Sequence, residues 1–297
     1  MQDDRSRPGR YPELASLRPT GAGQDGPALP TMPMFPQVIG HRGAAGCAPE
    51  NTLGGLRRAQ ALGCRWVEFD VRLTADGELI LLHDERLERT TDGSGKARAL
   101  SLSMIRRHDA GGWFGPSFAG ERVPTLAEAI DVLGELGLGA NVELKAGRGR
   151  ESETGAVAAD LLARLWPPQL PAPLVSSFLP AALAAARERA PAIPRGLIVH
   201  GLPRHWRTRA ESLGCVTIHA EHRRLRPAVV AEIREAGYSV LAYTVNDAAR
   251  ARELFAWGVA SVFSDVPHLI LDGAPDGAAR PADTSGSAPA MRQGALW

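Results

Sequence analysis

Between residues 37 and 272 short runs of β-branched and aliphatic residues alternate with longer segments whose apolar positions recur every three or four residues. The runs are 37–43, 66–71, 139–145, 174–178, 194–199, 215–219, 239–245 and 261–265. A helix-length segment follows each. In 51–62, Leu53, Leu56, Ala59 and Leu62 share one face; in 226–236, Pro227 suits a first turn and Gly237 a stop. Eight such pairs predict an α/β protein built as a (β/α)8 TIM barrel. One segment breaks the repeat. Residues 78–84 follow the second run after only Thr-Ala-Asp-Gly, too short for a helical crossover, so they predict an extra hairpin strand, with a small insertion between His83 and Glu143. A turn centred between Ala75 and Asp76 would set Glu68 directly opposite His83.

Composition narrows the functional classes. The chain has 297 residues and a net charge of +1, which offers neither a basic field for nucleic acid nor a polybasic anchor for a membrane. The longest run of Leu, Ile and Val, Leu79 to Leu82, is far short of a membrane span, and no apolar stretch of signal-peptide length occurs near Met1. Cys47, Cys64 and Cys215 are odd in number and widely spaced, which fits a reducing compartment. A cytoplasmic protein without stable membrane insertion is the expectation. Residues 1–36 and 273–297 are rich in Gly, Pro, Ala and polar residues and read as disordered tails flanking a barrel at 37–272.

Four blocks carry candidate chemistry: His41 in IGHRGAAG, Glu68 and Asp70 in VEFDV, His83 in LLHD and Glu143 in NVELK. Strand side chains alternate, so Glu68 and Asp70 point the same way, as do Glu143 and Lys145. Their neighbours Val67, Phe69, Val142 and Leu144 are apolar, which turns the carboxylates inward if the apolar set faces the helices. Three carboxylates suit one hard divalent cation, and two imidazoles can manage the protons of a phosphoryl displacement. Of 34 basic residues only Lys96 and Lys145 are lysine, so the Lys145 ammonium reads as a chemical requirement beside a phosphate oxygen.

HRGAAGCAPENT, VEFDVRLTADGELILLHD and VELK together resemble the glycerophosphodiester phosphodiesterase family. The likeness continues through DAGGWFG, LVSSF, LGCVTIHAEH, AYTVN and WGVASVFSDVP, and is greatest to the short bacterial cytoplasmic enzymes associated with glycerol-phosphate uptake. The resemblance implies His41 and His83 as the general acid–base pair, and Glu68, Asp70 and Glu143 as ligands of one Mg²⁺ or Ca²⁺. It also implies Arg42 and Lys145 as phosphate ligands, with Glu50 and Asn51 bracing the loop behind them. Trp113, Phe178, Tyr243 and Asn246 are candidate pocket residues by their place at a barrel's rim. The implied reaction is metal-dependent hydrolysis of a small-molecule glycerophosphodiester to sn-glycerol 3-phosphate and an alcohol. A lysophospholipase D or phosphoinositide-type activity on lipids is the alternative, and a barrel that only senses metal or phosphate is a third reading.

Overall fold

The structure, a computed structural model, describes residues 34–272. The expected tails lie outside the described residues except for 34–36, where Phe35 sets its ring edge-on to Trp66 at 5.4 Å. In chain order the elements are β1 (Val38–Gly40), α1 (Leu53–Ala61), β2 (Trp66–Leu73), β3 (Leu79–Leu81), α2 (Leu102–Ile105), α3 (Leu126–Leu136), β4 (Gly139–Leu144), α4 (Glu151–Leu165), β5 (Leu174–Ser177), α5 (Pro180–Arg189), β6 (Arg195–Val199), α6 (Trp206–Leu213), β7 (Thr217–Glu221), α7 (Pro227–Glu235), β8 (Ser239–Tyr243), α8 (Ala248–Ala256), β9 (Ser261–Ser264) and α9 (Pro267–Leu271).

Eight parallel strands close in the order β1, β2, β4, β5, β6, β7, β8, β9 and back to β1, with helices between them: the TIM barrel that the alternating pattern predicts. The sixth strand begins two residues later than its apolar run. Gly214 ends α6 in the left-handed conformation and Cys215 N–H bonds back to Ala210, so these residues belong to the helix stop. Alternation along β2 and β4 divides the core. Val67, Phe69, Val71, Val142 and Leu144 join the layer between strands and helices, whereas Ile39, Trp66, Leu174, Val216, Leu241 and Phe263 form a separate apolar cluster. That cluster carries inward residues from five strands and Val216 just ahead of β7, and fills the lower barrel, leaving the polar positions toward the strands' C-terminal ends.

The hairpin strand is present, but one residue out of the expected register. Val71 pairs with Leu81, Arg72 with Ile80 and Leu73 with Leu79. The cause lies in the turn. Gly77 N–H bonds to Thr74 C=O, Gly77 takes φ +84°, and Thr74 N–H bonds to Glu78 C=O, so the loop holds three residues instead of two. The pairing therefore does not set Glu68 against His83; Leu82 N–H bonds to Asp70 C=O, and His83 reaches the site only because the chain leaves the strand there. The insertion that follows has its own small core of Ile80, Leu82, Leu87, Ala97, Ile105, Ala110 and Val123.

Candidate active site

A cavity of about 330 Å³ opens among the strands, lined by His41, Arg42, Glu68, His83, Glu143 and Lys145 from the β1–β4 half and by Phe178, Ile198, His200, His219 and Tyr243 from the β5–β8 half. Nearly all of these stand at or just beyond the C-terminal ends of strands, where loops of such a barrel converge.

Glu68, Asp70 and Glu143 come together as expected. They are 2 %, 1 % and 9 % exposed, and one oxygen from each lies within 4.8 Å of the others. Burial and the adjacent Asp70 raise the pKa of Glu68, and the same two causes raise that of Glu143. Burial pushes Asp70 the same way, but Lys145 and Arg42 outweigh it and hold this carboxyl below its ordinary range. Lys145 Nζ lies 2.6 Å from Glu143 Oε1 and 3.5 Å from Asp70 Oδ1, so the structural ion pair coexists with its place on the cavity wall. Glu68 Oε1 is buried with no hydrogen-bond partner. An all-oxygen donor set with an orphaned carboxylate oxygen fits a hard divalent cation.

The β1–α1 loop holds the rest of this corner. Arg42 (φ 49°), Gly43 (φ 85°) and Asn51 (φ 56°) all occupy the left-handed region, which folds the loop tightly over β2. A Cβ on Gly43 would stand 2.7 Å from the Gly55 carbonyl carbon, so a side chain has no room. Arg42 N–H donates to Glu68 Oε2, and its Nη1 donates to Glu50 Oε1 at 2.8 Å. Asn51 grips Asp70 twice, Nδ2 donating to the carboxylate and Oδ1 accepting from the backbone N–H. Glu50 and Asn51 thus tie the loop to the Arg42 guanidinium and to Asp70.

Two of the cavity histidines, His41 and His83, are each paired with a carboxylate. His41 Nδ1 lies 2.7 Å from Asp265 Oδ1, and His83 Nδ1 lies 2.7 Å from Asp84 Oδ1. Both aspartates are held below the ordinary carboxylate range: burial at Asp265 is outweighed by His41, and Asp84 is held down chiefly by Arg89. Each therefore accepts, which makes Nδ1 the protonated nitrogen and turns Nε2 away from its aspartate. The two imidazoles diverge in basicity. Burial would lower His41, but Glu68 and Asp265 outweigh it and raise its pKa. His83 is lowered, first by burial, then by Arg42 and Lys145 against the pull of Asp70.

Residues 41–269 match the Glycerophosphoryl diester phosphodiesterase family. The chain belongs to that family. It is similar to a glycerophosphodiester phosphodiesterase of Caldanaerobacter subterraneus subsp. tengcongensis, 31% identical over 242 residues, covering 79% of this chain and 96% of the relative. Among solved structures it resembles an Oleispira antarctica phosphodiesterase in complex with the product sn-glycerol-3-phosphate, with 43% identity, TM-score 0.78, and coverage of 80% of this chain and 96% of that one. A glycerophosphodiester phosphodiesterase from Agrobacterium tumefaciens matches at 29% identity and TM-score 0.66, covering 80% of this chain and 100% of the other. As a family member the chain is a phosphoric diester hydrolase, and His41, Glu68, His83, Glu143 and Lys145 from its leading motifs line the same cavity.

The rim candidates divide. Phe178 and Tyr243 line the cavity, their rings edge to face at 6.1 Å, and Lys145 Nζ stands 5.6 Å from the Phe178 ring centre. Trp113 does not join them: it is exposed in the insertion, its indole N–H donating to Ala110 C=O. Asn246 stands behind the wall, donating to Asp265 Oδ2 and accepting from the Asp265 N–H. It aligns the carboxylate that holds His41. His219 is a buried neutral histidine bonded to Thr217 and lowered to about 3 by burial, while its ring still lines the cavity.

The sequence reading missed Asp265, Asp84, Arg89 and His200. Asp84 had a local signal, an acid directly after a candidate histidine. Asp265 lies 224 residues from His41 and had only its place at the end of a strand. His200 stacks against Phe178 at 4.7 Å, a contact between neighbouring strand ends that no motif announces.

Proposed function

We propose that this chain hydrolyses glycerophosphodiesters to sn-glycerol 3-phosphate and an alcohol. The observation that carries the reading is the meeting of Glu68, Asp70 and Glu143 beside two histidine–aspartate pairs in one cavity. Glu68, Asp70 and Glu143 would hold Mg²⁺ or Ca²⁺, whose charge, when bound, offsets that developing on the phosphoryl oxygens. Arg42 and Lys145 present cations to the same oxygens. His83, neutral with Nδ1–H held by Asp84, takes a proton from the attacking oxygen on Nε2. His41, held as imidazolium between Glu68 and Asp265, gives its Nε2 proton to the departing alkoxide. The same two transfers serve attack by water directly; with the glycerol 2-hydroxyl as nucleophile they yield a cyclic phosphate, which water then opens as His41, now neutral, takes its proton and His83, now protonated, returns one to the 2-oxygen. Phe178 and Tyr243 supply the apolar wall against which the glycerol or the leaving group packs.

A diester whose glycerol carries no acyl chain is favoured over a lipid, since the product held by the Oleispira antarctica relative is a free glycerol phosphate. No helix of the described residues is long and apolar enough to cross a membrane. We place the protein in the cytoplasm on its three free thiols, Cys47, Cys64 and Cys215. The deciding experiment incubates the purified protein with a panel of glycerophosphodiesters, with Mg²⁺, with Ca²⁺ and with chelator, and assays glycerol 3-phosphate. Release that depends on the metal is expected; survival of every diester with metal supplied refutes the assignment.

A further inference from the structure

The insertion after β3 reaches back to the catalytic corner through one side chain. Arg89 donates from Nη1 to Glu50 Oε2 at 2.7 Å and from Nη2 to Glu50 Oε1 at 2.8 Å. The same guanidinium donates from Nε to Asp84 Oδ2 at 2.7 Å and from Nη2 to Asp84 Oδ1 at 3.1 Å. Both carboxylates are already committed to the cavity. Glu50 Oε1 accepts from Arg42 Nη1, and Asp84 Oδ1 accepts from His83 Nδ1. The result is an unbroken line of hydrogen-bonded charges, Arg42–Glu50–Arg89–Asp84–His83. It joins the β1–α1 loop to the start of the insertion, two segments that share no strand.

We propose that Arg89 is a positioning residue for the hydrolysis assigned above, chelating Glu50 and Asp84 at once so that Arg42 and His83 keep a fixed spacing. The proposal rests on that assignment for the meaning of the spacing. The physical case begins with geometry: a planar guanidinium can meet two carboxylates in parallel pairs of bonds, which a lysine ammonium cannot do. Isolated exposed ion pairs contribute little to stability, and Arg89 is partly exposed. Its value here is orientation: among the described residues Glu50 is the hydrogen-bonded side-chain partner of the Arg42 guanidinium, whose Nε also lies 3.4 Å from Asp70 Oδ2, and Asp84 is that of the His83 imidazole. The insertion supplies the fulcrum. Leu87 is fully buried in the insertion's small core, and the turn that presents Arg89 closes with Thr90 and Thr91 N–H groups on Leu87 C=O. An element with no ligand of its own in the metal cluster thereby sets the phosphate-binding arginine and the base in relation to each other, where displacements on the order of 1 Å cost on the order of 100-fold in rate.

Two measurements test this, on the full chain with Mg²⁺ present. Calorimetric titration with inorganic phosphate reads the Arg42 arm without turnover, and steady-state hydrolysis of a glycerophosphodiester reads kcat and KM. Arg89→Met should weaken phosphate roughly tenfold and lower kcat by roughly 10- to 100-fold. Arg89→Lys should recover only part of either, and adding Glu50→Gln to Arg89→Met should cost little more, because the line is already cut. Wild-type phosphate affinity and kcat in Arg89→Met would overturn the proposal. So would full recovery by Arg89→Lys, or a lowered Tm with both constants unchanged per folded molecule, since charge or folding alone would then suffice. If the wild-type chain releases no glycerol 3-phosphate, the substrate assignment falls, and the phosphate titration still decides whether Arg89 holds Arg42 in place.

Discussion

At the scale of single residues, chemistry divides between two imidazoles of opposite disposition. His41 sits between the Glu68 and Asp265 carboxylates and is raised; His83 is lowered by its burial and then by Arg42 and Lys145. A base that must be neutral with a lowered pKa gains activity as pH rises through a value below 6.5, and an acid that must be charged with a raised pKa loses it as pH rises through a value above 6.5. The kcat/KM profile between pH 5 and 9 should therefore be bell-shaped with a plateau about neutrality; a flat profile with chemistry rate-limiting would exclude the pair. His41→Ala and His83→Ala should each lose on the order of 10²–10⁴ in kcat on alkyl diesters. A p-nitrophenyl leaving group needs little protonation, so it should restore His41→Ala and leave His83→Ala impaired. The opposite pattern would exchange the roles.

Among the elements, the loop from β1 to α1 does most to shape the site. It places His41 and Arg42, and its turn back over β2 depends on Gly43, whose φ of +85° and contact with Gly55 exclude a side chain. Gly43→Ala should destabilise by about 1–3 kcal/mol in a denaturant melt and weaken phosphate binding, because relieving the clash moves Arg42. Stability unchanged in that variant would mean the loop has slack that the geometry denies. The β2–β3 hairpin teaches a second point. The alternation of apolar and polar residues announces the strand, yet register depends on how many residues the turn consumes. That count is set by the left-handed Gly77 and the Thr74–Glu78 bonds. His83 still lines the cavity with Glu68 and Glu143 despite the slip, because it stands beyond the strand's end.

For the whole molecule, the cost of gathering three carboxylates in one barrel couples stability to the cation. Without a metal, Glu68 and Glu143 have folded pKa values above their ordinary ones, so the folded state holds more protons than the unfolded state. The contribution of these two groups to stability then falls as pH rises from about 4.5 through the raised values. Asp70, with a lowered pKa, is ionised in both states across this window and adds no slope there. A divalent cation at 100 times its Kd should add about 2.7 kcal/mol, roughly 5–10 °C in Tm for a barrel of this size. The increment should be larger at pH 8 than at pH 5.5, because the cation offsets the repulsion that grows as the carboxyls ionise. Calorimetric scans with and without Mg²⁺ at the two pH values check this, and Glu68→Gln should shrink the increment. Equal Tm values in all four scans would leave the cluster without a bound cation.

Much was settled by the chain's own pattern. Hydrophobic periodicity announced eight βα units because burial against water acts on every residue and leaves its period in the sequence. Period-two alternation also put Glu68 with Asp70, and Glu143 with Lys145, on the inner face, since that depends only on neighbouring backbone geometry. Contacts between strand ends obey no such local rule. Barrel closure, which seats β1 beside β9, brought Asp265 to His41, and the insertion's core carried Arg89 to Glu50 and Asp84. The same closure kept Phe178 and Tyr243 on the wall and left Trp113 outside it. These partners are distant in sequence, and their meeting depends on shear, loop length and packing summed over the whole fold, quantities that only the tertiary structure holds.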